Sequence, residues 1–480
     1  MIKILKLSIE IINKAIELSD IKKDTVVIDK QAKLAFNLYM ELYEKPNFIK
    51  GPQSIRPPFI DEKNYQPLSV NFFKEPQRII YLRRWILKLL PVIDLFSQVG
   101  KLPLTRKKED FEVYLQDVFN KYNSMLEEIH RIIPSKYNLI NDWTLKNARN
   151  LCDKIIHSIQ EYYRGFPAKA FNELKIGLIN NLSNAGHFDN IIKLPNFTNE
   201  LFYKMREGTN HKFSSDEMFH IPMELRGRAS TNRYSIPGLP CVYLGSSPLT
   251  CWEELNKPDL NTIQTSLFVS NSINYLDLST PPVVFINNLI SKYHNYGTVN
   301  MQKIYDEVIS YILLWPLMAA CSIRVKNIKD TFKPEYIIPQ LLLQFIRQSG
   351  FIHGVSYFST KIENYTVDAA ELYRNFAFPV KGEAKEGQCP FLKKHFTITD
   401  GVPWNLFQMY KNTTFAMPNE TKTQVKLEIL RGMDIPYTAT DFCILETFLI
   451  NYLLKEQGKE HELIPVPSDI ILEPIKREFC

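Results

Sequence analysis

The chain is short of the features that announce a metalloprotein, a disulfide scaffold or a membrane protein. It has seven cysteines, at 152, 241, 251, 321, 389, 443 and 480, an odd number at wide spacing with no C-x-x-C pair. That pattern excludes a zinc ribbon and argues for reduced thiols in a cytoplasmic protein over a disulfide framework. Neither the cysteines nor the nine histidines recur at metal-ligand spacing, so no metal site is expected. The longest uncharged run, Val308 to Ile323, is 16 residues and contains Pro316. A membrane span needs roughly 20 apolar residues, so this run reads as a buried core element. There is no internal repeat and no low-complexity tract. The N-terminal MIKILKLSIEIINKAIELSD is an amphipathic helix pattern and not a signal peptide. No long basic stripe accompanies the net charge of +6, which permits an anionic small molecule but does not point to nucleic acid.

What is present is ordinary for a globular protein of two or three domains: 480 residues, 45% apolar and 23% charged. Residues 1–195 read as a helical N-terminal domain. Apolar residues recur at three- and four-residue spacing over Ile2–Leu18, Ile79–Val99 and Phe111–Ile133, with breaks at Gly51–Pro58 and Lys101–Pro103. Further helices are expected over Lys146–Tyr163 and Ala168–Leu182, then a polar linker at Ser183–Asn199. From about residue 196 to 420 the pattern is α+β. Strands are expected at Leu201–Met205, Val242–Leu244, Thr265–Val269, Ile273–Leu276 and Val355–Phe358, and helices at Met301–Tyr311 and Tyr336–Gln348. Residues 421–480 form a short helical extension, with Thr440 or Asp441 capping a helix over Phe442–Lys455.

One stretch, TNRYSIPGLPCVYLGSSPLTCWEEL from Thr231 to Leu255, concentrates side chains suited to chemistry. Alternation puts Arg233 and Ser235 on one face and Tyr234 on the other. Arg233 offers a forked donor for a diphosphate. The tyrosines offer rings on which a planar group stacks. The turn Gly245-Ser246-Ser247-Pro248, opening a helix, offers backbone N–H groups to a phosphate. Glu253 or Glu254 offers a carboxylate for a sugar hydroxyl or a developing cation. Arg226, Arg228, His220, His353 and Cys251 read as structural or solvated residues, as do the basic runs Arg83-Arg84 and Arg106-Lys107-Lys108.

The pattern N-R-Y-S-I-P-G-x-P-C-x-Y-L-G-S-S…W-E-E resembles the RES domain, named for its arginine, glutamate and serine. In that family the glutamate lies eleven residues after the strand tyrosine, which from Tyr243 lands on Glu254. Upstream, Leu201-Phe202-Tyr203-Lys204-Met205-Arg206 resembles the family's first strand. Its arginine matches Arg206, with Lys204 in reserve. Downstream, Gln340 and Gly354-Val355-Ser356-Tyr357-Phe358-Ser359 resemble the segment that supplies the serine, here Ser359. The resemblance covers about residues 196–410. It implies an ADP-ribosyltransferase-like fold and cleavage of the nicotinamide–ribose bond of NAD+ by hydrolysis or phosphorolysis, or transfer of ADP-ribose to a protein.

By this resemblance Glu254, Arg206, Arg233 and Ser359 are the catalytic set. Tyr243, Tyr234, Ser235, Lys204, Ser246 and Gln340 contact NAD+, the substrate, with inorganic phosphate as a possible co-substrate and no resident cofactor. Many members of the family are toxins held by a helix-turn-helix antitoxin, and larger ones look like effectors in defence against phage. An antitoxin or regulatory partner is therefore expected at the N-terminal helices, with self-association left open. A catalytically silent module that binds ADP-ribose or a partner is the alternative outside the enzyme class.

Overall fold

The computed structural model describes residues between Lys88 and Gly458, except for short internal stretches of which the longer are 134–137, 184–189, 290–300, 363–366 and 412–421. The helices expected at Ile2–Leu18 and over most of Ile79–Val99 lie outside the described residues, as does the end of the C-terminal extension. In chain order the main elements are α1 (Phe111–Ile132), α2 (Asp142–Tyr163), α3 (Pro167–Leu178), β1 (Ile192–Lys193), β2 (Glu200–Glu207), β3 (Cys241–Gly245), α4 (Pro248–Glu254), β4 (Ile263–Ser270) and β5 (Tyr275–Leu278). Then come α5 (Met301–Cys321), α6 (Ile337–Gln348), β6 (Gly354–Phe358), β7 (Arg374–Pro379), β8 (Thr397–Ile398), β9 (Val402–Pro403), α7 (Trp404–Tyr410), β10 (Lys426–Leu430), β11 (Met433–Pro436) and α8 (Asp441–Glu456).

The chain divides into two compact units that do not follow the three-part sequence order. One comprises residues 1–191 and 280–338; the other comprises 192–279 and 339–480. The segment carrying α5 thus belongs with the N-terminal helices, and the C-terminal segment belongs with the sheet. Local periodicity marks where elements lie but carries no information on which distant segment they pack against.

The first unit is helical. Asp110 caps α1 by accepting from the Val113 N–H, and Asn141 caps α2 through Thr144. Leu115, Phe119, Tyr122 and Leu126 of α1, Leu151, Ile155 and Ile159 of α2, and Val308, Ile312 and Trp315 of α5 are all buried. Helix α5 is the one described helix long and apolar enough to cross a membrane, but 83% of that window is buried inside the protein. It runs ten residues past the expected end at Tyr311, straight through Pro316. Proline lacks the N–H that Ile312 C=O would accept from one turn earlier. The Tyr122 hydroxyl replaces it, donating to Ile312 O at 2.7 Å while its ring stacks on Trp315.

The second unit is built on a nine-stranded mixed sheet of order β1-β5-β6-β7-β3-β2-β4-β8, with β9 also paired to β4. Only β5 and β6 run parallel; every other pair is antiparallel. The α+β class expected from the pattern is the class observed. Cross-strand partners share a face, and two apolar layers sort accordingly. Phe202, Val242, Leu244, Phe268, Phe376 and Phe378 form one core, joined by Phe219 and Phe396. Tyr203, Met205, Leu267 and Val269 face the other way, into a core completed by Cys251 of α4, Trp404 and Phe407 of α7 and Leu445, Leu449 and Leu453 of α8. Thr440 caps α8 by accepting from Cys443 N. The six cysteines among the described residues are buried thiols in no disulfide.

Candidate functional site

Four residues make one row across the middle of the sheet. Tyr203 of β2 pairs with Gly245 of β3, Gly245 with Asn375 of β7, and Asn375 with Tyr357 of β6. Helix α4 lies on this face, close against β3. Cys251 Sγ donates to Tyr203 O at 3.2 Å, and a Cβ on Gly245 would come within 2.8 Å of that sulfur. Only glycine permits the approach. The last residue of α4, Glu254, is thereby brought to the row.

Its carboxylate is the centre of the site. Ser359 Oγ donates to Glu254 Oε1 at 2.6 Å, and Asn375 Nδ2 donates to the same oxygen at 2.7 Å. Lys361 Nζ stands 3.7 Å from Oε2. That ammonium is itself held by the Glu254 and Glu253 carbonyls, at 2.6 and 3.2 Å, and by Asn256 Oδ1 at 2.8 Å. Ser359 is buried, and its N–H donates to Tyr373 O, just before β7, at 3.0 Å. Glu254 keeps about a third of its side chain exposed. The result is an oriented carboxylate open to solvent on one side. It is suited to stabilising positive charge or accepting from a hydroxyl, in a wall that includes Tyr357 and Tyr243.

The aromatic wall is locked from behind. Tyr243 OH donates to Tyr234 O at 2.6 Å, and the Tyr234 and Tyr357 rings pack with centroids 4.2 Å apart. Burial pushes the Tyr243 hydroxyl far above its usual range, so it stays a neutral donor. Residues 231–235 form a turn and not the expected strand: Ser235 Oγ accepts from Asn232 N at 3.0 Å and donates to Asn232 O at 2.9 Å. A short side chain that bonds its own backbone competes with extended structure. Arg233, Tyr234 and Ser235 are consequently all buried, and not on alternating faces. Gln340 Nε2 donates to Asn232 O at 3.1 Å and so supports this turn.

The turn at 245–248 does not present a phosphate cradle. The Ser246 N–H donates to Arg374 O at 2.9 Å, and its hydroxyl donates to Leu372 O at 2.7 Å while accepting from Arg374 N at 3.0 Å. Ser247 caps α4 by accepting from Thr250 N. The donors expected for a phosphate instead satisfy the carbonyls at the start of β7. Ser246 O in turn accepts from Lys422 Nζ at 2.8 Å. That ammonium is ion-paired with Glu446 of α8 in a buried contact that Tyr437 completes.

Lys204 and Arg206 lie on the opposite face of the sheet from Glu254, one and three residues on from Tyr203. Lys204 Nζ donates to Phe219 O, and burial followed by the nearby Arg206 charge lowers its pKa to about 8. Arg206 donates to Glu217 O at 2.7 Å and covers the Phe213 ring. Alternation along β2 keeps the two on one face, and that face is turned away from the carboxylate. His220 is structural: Nε2 accepts from Cys389 N at 2.8 Å, and Nδ1 donates to Ile221 O. Among the described residues no cluster of three or more His, Cys, Asp or Glu side chains could hold a metal ion.

Of the residues expected from the sequence, Glu254 and Ser359 meet, although 105 positions separate them. Tyr243, Tyr234, Ser235 and Gln340 form the supporting wall and turn, Arg233 is buried within that turn, and Ser246 anchors α4. Asn375 and Lys361 were not expected. The one legible signal for Asn375 is a carboxamide directly before the apolar run Phe376–Val380.

No protein-family model matches the chain, and no solved structure matches it. A curated protein of Bacillus subtilis (strain 168), named "Putative toxin YopC", is 34% identical over 452 residues, spanning 91% of this chain and 97% of the relative.

Proposed function

We propose that this chain, which belongs to the family of Bacillus subtilis YopC, is a RES-type enzyme that cleaves the nicotinamide–ribose bond of NAD+ and acts as a toxin by depleting it. The toxin assignment draws on the relative's name. The enzyme assignment draws on one contact above all: the hydrogen bond of 2.6 Å from Ser359 to Glu254, the glutamate and serine that the resemblance to the RES domain assigns.

Nicotinamide in NAD+ already carries positive charge and leaves as a neutral molecule. The transition state therefore concentrates positive charge at C1′ of the ribose. Catalysis then consists of holding the ribose against a preorganised negative group. Glu254 supplies that group and accepts from the ribose 2′-hydroxyl. The Tyr357 and Tyr243 rings confine the planar leaving group. Water completes the reaction, adding hydroxyl at C1′ and releasing a proton to give ADP-ribose and nicotinamide; phosphate in its place gives ADP-ribose 1″-phosphate.

Incubating the purified full chain with NAD+, with and without phosphate, tests this reading. Release of nicotinamide that Glu254→Gln lowers by at least 100-fold is the expected result. A labelled polypeptide instead identifies protein ADP-ribosylation. Intact NAD+ that nonetheless binds the protein identifies a silent ADP-ribose module, and wild-type turnover in Glu254→Gln removes the carboxylate from the mechanism.

A further inference from the structure

We infer that Asn375 is a positioning residue for Glu254, and that with Ser359 it commits Oε1 to the protein and leaves Oε2 as the oxygen that works on the substrate. The inference rests on the reading above for the reaction, but its geometry stands on this site alone.

A carboxylate at the end of a seven-residue helix has free rotation about its terminal bond unless its oxygens are held. Here one oxygen accepts two short bonds, from Ser359 Oγ at 2.6 Å and Asn375 Nδ2 at 2.7 Å, and both donors are buried. Charge-assisted bonds of this length fix direction as well as position. Among the described residues no such donor closes on Oε2; the cation beside it, Lys361, is 3.7 Å away and is drawn toward the carbonyl end of α4.

Asn375 is itself aimed by its strand. β7 runs between β6 and β3, with Tyr357 and Gly245 as the cross-strand partners of Asn375. On the reverse face the preceding residue, Arg374, is fastened to Ser279 Oγ at 2.9 Å, to Tyr275 OH at 3.2 Å and to Asp277 at 3.7 Å. An arginine locked behind and an asparagine presented in front is a rigid mounting for one hydrogen bond. Because Asn375 touches the carboxylate and not the reacting ribose, its loss disturbs aim before it disturbs binding.

The test combines kinetics with a spectroscopic reading that needs no turnover. Asn375→Ala is expected to lower kcat for NAD+ about 10- to 100-fold with KM within threefold, the penalty of a misaligned group. Asn375→Asp replaces the donor to Oε1 with an acceptor and is expected to lower kcat at least as far. Infrared difference spectra of the Glu254 carboxylate stretches, assigned by subtracting Glu254→Gln, are expected to shift in both variants as the bond to Oε1 is lost, with far-UV spectra and melting reporting that each is folded. Unchanged Glu254 bands in folded Asn375→Ala overturn the inference, as does a KM effect with kcat preserved. If wild-type protein leaves NAD+ intact, the proposed reaction fails, while the infrared bands still decide whether Asn375 holds Glu254.

Discussion

The buried contact between Lys422 and Glu446 ties the C-terminal helix to the turn that launches α4, and its strength follows from its geometry. Lys422 Nζ reaches Glu446 Oε1 and Oε2 at 2.8 and 3.0 Å and Ser246 O at 2.8 Å, which uses all three of its protons. Tyr437 OH donates to Oε1 at 2.7 Å. Both charged side chains are more than 90% buried. At an effective dielectric of about 20, opposite charges at this separation attract by about 6 kcal/mol, an attraction that burial of both ions largely offsets. Removing one partner strands the other charge, at a cost of about 3–5 kcal/mol. Glu446→Leu and Lys422→Met are each expected to lose that much, whereas the double variant is expected to lose at least about 2 kcal/mol less than the sum. Hydrogen exchange of the α8 amides is the suitable assay, because two compact units make a single unfolding free energy ill-defined. NAD+ cleavage is expected to fall in the single variants, since Ser246 opens the turn into the helix that carries Glu254. Additive single losses would refute the closed, buried pair, and strong weakening of the wild-type contact by salt would refute its burial.

Gly245 and His353 carry two further expected outcomes. Gly245→Ala puts a methyl within 2.8 Å of Cys251 Sγ and 3.2 Å of Ser247 O; it is expected to cost about 1–3 kcal/mol and to displace Glu254, lowering activity, with Gly245→Ala/Cys251→Ala recovering part of both in melting and NAD+ assays. Burial first, then the His395, Lys381 and Lys394 charges, holds His353 at a pKa of about 4, below its ordinary value of 6.5. The unfolded chain therefore takes up the proton first, and the stability linked to this ring is complete above about 6.5 and is lost as pH falls toward 4. His353→Asn retains an acceptor for Asn274 N, so its melting temperature is expected to fall less than that of wild type between pH 7 and 4.5; equal falls would exclude His353 as the group responsible.

The parts of this protein that were legible in its sequence are those that local chemistry determines. Alternating residues in β2, β3, β4 and β6 mark strands, and Thr440 marks the start of α8, because a strand face and a helix cap each need only a few neighbouring residues. Glu254 and Ser359 were legible through the resemblance to the RES domain, whose motifs match the residues around them. Asn375 was not, because its role depends on a carboxylate 121 residues away and on the register of β7 against β3 and β6. The passage of α5 through Pro316 was equally hidden, since the replacement donor is Tyr122, 190 residues distant. The same holds for the division into units: nothing local to residues 280–338 says that they pack with the N-terminal helices.

Arg206 puts the distinction between motif and geometry to a direct test. The family resemblance makes it a catalytic cation, but the pairing of Tyr203 with Gly245 sends residues 204 and 206 to the face opposite Glu254. There Arg206 donates to Glu217 O at 2.7 Å and stacks over Phe213 with 4.4 Å to the ring centre. An exposed cation–π contact and one hydrogen bond together contribute about 1 kcal/mol. Arg206→Ala is therefore expected to lose about that much stability while NAD+ cleavage stays within about threefold of wild type, a change of less than 1 kcal/mol in transition-state binding. Lys361→Ala, which removes the cation beside Glu254, is expected to do the reverse and depress kcat more than stability. A 100-fold loss of activity in Arg206→Ala with an unchanged melting temperature would show that the substrate reaches across the sheet edge to that arginine, and the site would have to be redrawn around both faces of β2.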